Sequence, residues 1–195
     1  AQQEQLDLVA VGDFSLYDHV LDMSFILGHL PQRIENLDAP LWEKYFIAAR
    51  GQANAGDKDC CQTHAAEMTK WFDTNYHYIV PELDKNSQFE LDRAFLQHKY
   101  RRADGAKYKP VIIGPLTYLW LSRSVDNTPK LDCLPELLNV YQQLFHFFLE
   151  KGVQWVQIDE PILTLELDKR WQDAFEHTYQ AFADNDVKTL LTTYF

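Results

Sequence analysis

Cysteine is scarce in this 195-residue chain, with Cys60, Cys61 and Cys133 alone. Three thiols cannot build a disulfide framework, and the adjacent pair is a strained place for a mutual bridge, so reduced thiols are expected. Basic residues are also in deficit: 18 Lys and Arg face 29 Asp and Glu, a formal charge of −11. No basic stripe offsets that field, so nucleic acid is excluded as the expected partner. No run approaches the roughly 18 apolar residues that span a bilayer. The opening residues lack the charged-then-apolar order of a secretory leader, and the expected location is the cytoplasm. Internal repeats, low-complexity tracts and interdomain linkers are missing too. A single domain over 1–195 is therefore expected, with a beginning at Ala1 and an end at Phe195 that read as cut from something longer.

Apolar residues make up 46% and aromatics 14%, enough for a sizeable core and against disorder. Short apolar runs bounded by turn residues predict strands at Leu6 to Val11, Val111 to Ile113, Val153 to Ile158 and Leu190 to Phe195, with a weaker one at Tyr76 to Val80. Near-continuous apolarity around Ile112 and Leu190 suits a parallel sheet covered on both faces. Leu134, Leu137, Leu138, Tyr141, Leu144, Phe145 and Phe148 fall at helical spacing, and Gly152 ends that helix. Trp171, Phe175, Tyr179 and Phe182 form a second stripe. Strand, helix and strand over 153–195 make a βαβ unit, hence an α/β fold with right-handed crossovers. Residues 18–73 read as a long, mostly helical insertion after the first strand, carrying a polar insert over 51–58.

In parallel α/β folds, ligand-facing groups collect where strands end. Asp13 after the first strand, and Asp159 and Glu160 after the third, are thus candidates for one common mouth. Helix capping and pairing with a neighbouring Arg are the bland alternatives for such carboxylates. Cys60, Cys61 and His64 sit close in sequence, but adjacent cysteines point apart and no second ligand pair follows at zinc spacing, so no metal site is expected. His19, His77 and Asp13 would need the fold to bring them together. Lys70 lies between Thr69 and Trp71-Phe72, ahead of Asn75-Tyr76-His77-Tyr78. A lysine among rings suits an anionic, partly aromatic ligand, and equally suits a surface lysine lying along a helix.

Several blocks carry a resemblance. They are Val11-Gly12-Asp13-Phe14 with Tyr17-Asp18-His19-Val20-Leu21, and Ala65-Ala66-Glu67-Met68-Thr69-Lys70-Trp71-Phe72 with Thr74-Asn75-Tyr76-His77-Tyr78 and Val80-Pro81-Glu82. Further along come Gly114-Pro115-Leu116-Thr117 with Trp120-Leu121, then Trp155 to Pro161, then Leu190 to Phe195. In this order they resemble the N-terminal half of the cobalamin-independent methionine synthase family. The resemblance implies part of a (βα)8 barrel, about strands two to six of eight. It implies a role in moving a methyl group from 5-methyltetrahydropteroyl-polyglutamate to homocysteine. Zinc and homocysteine belong to the family's C-terminal barrel, a partner of this one, so this chain is expected to hold no zinc and no catalytic residue. Carried over by position, Lys70 matches the lysine that contacts the folate polyglutamate. Asp13, Asp159 and Glu160 match strand-end positions without an assigned chemistry.

Alone, the piece is expected to be inactive, and its open barrel edges to favour self-association. Two other readings stand beside this one: a truncated remnant without function, and an independent barrel enzyme of the uroporphyrinogen decarboxylase type.

Overall fold

Four strands form one sheet: β1 (Val9–Val11), β5 (Tyr108–Ile113), β7 (Trp155–Asp159) and β8 (Lys188–Thr192). A computed structural model describes residues 5–52 and 63–194. Each strand pairs in parallel with the one before it, through Val9↔Tyr108, Val111↔Gln157 and Trp155↔Lys188. The spatial order β1-β5-β7-β8 is also the chain order, without the reversal that marks a doubly wound sheet. All four predicted main strands are therefore present, with ends shifted by a few residues, as strand ends commonly are.

The fifth predicted run also holds a strand, but its place is corrected. His77–Ile79 (β3) stays out of this sheet and pairs antiparallel with Met68–Lys70 (β2). The two form a hairpin, so four strands line up here where five were expected. Glu82–Leu83 (β4) and Arg123–Ser124 (β6) make a further short parallel pair. The helical insertion is also shorter than expected. Helices cover His19–Ile26 (α1), Gln32–Glu35 (α2) and Leu41–Arg50 (α3), but Lys70 is on a strand. In 68–71 only Trp71 is buried, and its ring is held by contacts with His19, Phe72 and Tyr78 rather than by a helical stripe. The insert at 51–58 falls mostly outside the described residues.

Helix α1 is apolar almost all round, and seven of its eight residues are buried, as a helix inside a core must be. Asp18 begins it: its carboxylate accepts from the Val20 and Leu21 N–H groups, both at 2.8 Å, and from Ile79 N–H at 3.1 Å. One side chain thus caps α1 and fastens the hairpin to it. Helices α4 (Arg93–Lys99) and α5 (Pro115–Leu121) flank β5 in the chain. The predicted stripe on α6 (Leu134–Glu150) is wholly buried, and each such side chain contributes about 1.5–3 kcal/mol by leaving water. Helix α7 (Lys169–Ala183) returns the chain to β8. Among the described residues no helix is long and apolar enough to cross a membrane.

Candidate functional site

At the carboxyl ends of β1, β5 and β7 a cleft of about 210 Å³ opens, lined by Asp13, His19, Asp22, Lys99, Gln157, Asp159 and Tyr194 above an apolar floor that includes Met23, Ile26 and Ile112. The chain enters it through Gly12, whose φ of +84° suits glycine. A Cβ there would also stand 2.2 Å from the Tyr100 ring. Tyr100 is fixed in turn, donating to the Val111 carbonyl at 2.7 Å.

The cleft wall carries a buried ion pair. Lys99 and Asp22 are in hydrogen-bond contact, with side chains only 9% and 5% exposed. The Tyr45 hydroxyl donates to the other Asp22 oxygen at 2.5 Å, and Lys99 also reaches the Phe14 carbonyl at 3.3 Å. Burial, reinforced by Asp22, holds the Tyr45 phenol well above its usual range, so it remains a donor. Across the cleft, Asp159 accepts from Gln157 Nε2 at 2.8 Å and from the Thr192 hydroxyl, and Lys109 donates to Gln157 Oε1 at 2.6 Å. Burial and the Asp159 charge keep the Tyr194 phenol protonated. His19 packs edge-on against Trp71, centroids 4.3 Å apart. Desolvation lowers its pKa despite the opposing pull of Asp159 and Asp22, leaving a neutral imidazole at neutral pH.

The three strand-end carboxylates divide. Asp13 and Asp159 share the cleft. Glu160 is fully buried away from it and accepts from Leu116 N–H at 3.2 Å, Thr117 N–H at 2.7 Å and the Tyr179 hydroxyl at 3.2 Å. It caps α5 from a neighbouring strand end, and a Cβ at Gly114 would lie 2.1 Å from its carboxyl carbon. Burial pushes its pKa up to about 7 against these donors. Lys70 stands exposed on the hairpin, in register with His77, next to the Trp71 that packs on His19. No described acidic group pairs with it. Cys60 and Cys61 lie outside the described residues, and His64 is exposed. Among the described residues no three His, Cys, Asp or Glu side chains are placed to hold a metal ion.

Asp22, Lys99 and Tyr45 were missed in the sequence. Their ion pair joins positions 77 residues apart, beyond any local pattern. One signal was available: Asp22 sits among Val20, Leu21, Met23, Phe25 and Ile26, and a buried carboxylate needs a partner.

Sequential parallel strands, covering helices and a polar cleft at the strand ends define a parallel α/β domain of the kind that binds ligands at its carboxyl face. The family model described as "Cobalamin-independent synthase, N-terminal domain" matches residues 1–195, and the chain belongs to that family. The 5-methyltetrahydropteroyltriglutamate–homocysteine methyltransferase of Saccharophagus degradans is 48% identical over 202 residues, covering 99% of this chain. That alignment takes in 26% of the relative's own length.

Proposed function

We propose that this chain is the folate-holding part of a methyltransferase that transfers the methyl group of 5-methyltetrahydropteroyltri-L-glutamate to L-homocysteine, giving methionine in the cytoplasm. The homocysteine sulfur forms a bond to the methyl carbon as the N5–methyl bond breaks. That chemistry, and the zinc that activates the thiol by lowering its pKa, are assigned to a C-terminal barrel of the same enzyme. The donor set of the described residues does not suit zinc, and the piece alone is expected to be inactive. The four strands are read as a contiguous arc of a (βα)8 barrel, which their unbroken chain order supports.

Lys70 is the group proposed to meet the glutamyl carboxylates. The observation behind this is an exposed lysine without an acidic partner among the described residues, on a hairpin pinned at the cleft rim in a chain of net charge −11. The cleft itself, at about 210 Å³, is below the ~300–1,000 Å³ that encloses a drug-sized ligand. A pteroyl-triglutamate must therefore lie across the rim rather than inside. Asp13 and Asp159 frame the mouth, and Glu160 supports it from behind. Leu190 and Leu191 on edge strand β8 are 39% and 38% exposed, so the isolated chain is expected to self-associate there. A monodisperse monomer in sedimentation at high concentration would contradict this.

The experiment is a titration of the chain with the triglutamate and monoglutamate forms of 5-methyltetrahydrofolate. The triglutamate should bind more tightly, with a steep salt dependence, and Lys70→Ala should cost about 1–3 kcal/mol of that preference. Equal affinity for both forms, or an unchanged Lys70→Ala variant, would remove the assignment.

A further inference from the structure

A second concavity, about 450 Å³, lies between the end of α5, the 3-10 turn Lys130–Cys133 and the start of α7. Its volume falls in the ~300–1,000 Å³ range that takes a small organic ligand. Two half-buried indoles, Trp120 and Trp171, meet there edge to face, centroids 4.9 Å apart. Large rings left part-exposed beside a groove offer stacking area at small entropic cost, since each has only two side-chain torsions.

The groove's charge runs against the rest of the molecule. Lys130 is half-buried and anchored, its ammonium donating to the Trp120 carbonyl at 2.7 Å with two N–H bonds left over. Arg170 is exposed and has no ion-pair partner among the described residues. The one carboxylate present, Asp168, accepts from Trp171 N–H at 3.1 Å as the helix cap. Two cations therefore face one engaged anion, on a chain whose formal charge is −11. The first turn of the 15-residue helix α7 adds positive potential in the same place. Guanidinium and indole together suit a flat ring carrying a carboxylate, the ring stacking and the carboxylate bridging the two cations.

We propose that this groove binds a planar aromatic anion of the arene-carboxylate class, separately from the hairpin that carries Lys70.

Direct titration with 1-naphthoate tests it, read by tryptophan emission and by the indole N–H resonances of Trp120 and Trp171. Saturable binding is expected, with 1-naphthalenemethanol and inorganic phosphate each failing to compete at equal concentration. Arg170→Gln, at an exposed position and expected to keep the parent's far-ultraviolet spectrum, should weaken 1-naphthoate by about tenfold, the loss of one charged hydrogen bond. Lys70→Ala should leave it unaltered. The proposal is overturned if the perturbed resonances belong to other tryptophans, if phosphate competes as well as naphthoate, or if Arg170→Gln binds like the parent.

Discussion

Helices α6 and α7 each carry an apolar stripe at helical spacing, yet the structure treats them differently. In α6 nine side chains are buried, from Leu134 to Phe148. In α7 only Thr178 and Phe182 are, while Trp171, Phe175 and Tyr179 stay half-covered. The strands they serve differ in the same way. β7 has neighbours on both edges, whereas β8 is paired on one edge and shows Leu190 and Leu191 to solvent. A helical stripe states which face seeks cover, and only the neighbours decide how much cover it obtains. The better-covered side, away from β8, is also where the sole ion pair with both side chains under a tenth exposed among the described residues joins α4 to α1.

The largest expected effect lies on that covered side. Lys99→Met strands the Asp22 carboxylate, and the loss should be about 3–5 kcal/mol in urea unfolding. Pairing it with Asp22→Leu should recover most of this, and a double variant as unstable as the single would show that the charge is not the cause. Next comes a matched pair of truncations. Leu144→Ala on α6 should cost about 2–5 kcal/mol, and Leu191→Ala on the open strand only about 1 kcal/mol or less. Equal losses would erase the contrast between the two sides.

Titration sharpens the comparison further. The folded-state pKa of Glu160 is about 7 against an ordinary 4.5. The native state therefore keeps a proton that the unfolded chain releases, and stability falls as pH rises from about 4.5 to 7. Asp18, pushed up to about 6 from 3.8 by burial, acts in the same direction. His29 acts oppositely. Its Nδ1 lies 2.8 Å from the Tyr118 hydroxyl, and burial lowers its pKa to about 4 from 6.5. Stability is thus lost as pH falls through that window. The parent should show a shallow profile, Glu160→Gln one that tilts toward stability at high pH, and His29→Gln one that tilts toward low pH. Identical profiles for all three would contradict the burial argument. The smallest effect on stability belongs to Lys70→Ala, within about 0.5 kcal/mol as for an exposed site with no ion-pair partner among the described residues. A larger change in melting would mean that this lysine supports the hairpin instead of meeting a ligand.

The main sheet and both long helices were legible because strand runs and helical stripes are local patterns, complete within three to seventeen residues. The hairpin was half legible. Tyr76 to Val80 reads as a strand, but nothing in 66–72 reveals that Met68–Lys70 pairs with it. Of the strand-end carboxylates, spacing placed Asp13, Asp159 and Glu160 at one end of the sheet. It did not reveal that Glu160 turns back to cap α5 while Asp159 faces the cleft, because the Thr117 and Thr192 groups that hold them lie 43 and 33 residues away.

By itself, then, the amino-acid sequence determined the α/β class, the family, and which residues stand at strand ends, since each rests on periodicity or on contiguous motifs. Tertiary structure alone decided the rest. It joined Asp22 to Lys99, set Trp71 against His19, sent Tyr76–Val80 into a hairpin and left β8 with an open edge. The first two are contacts between segments far apart in the chain, fixed by burial and hydrogen-bond satisfaction that no local window contains, and the last two depend on which strand neighbours the fold supplies.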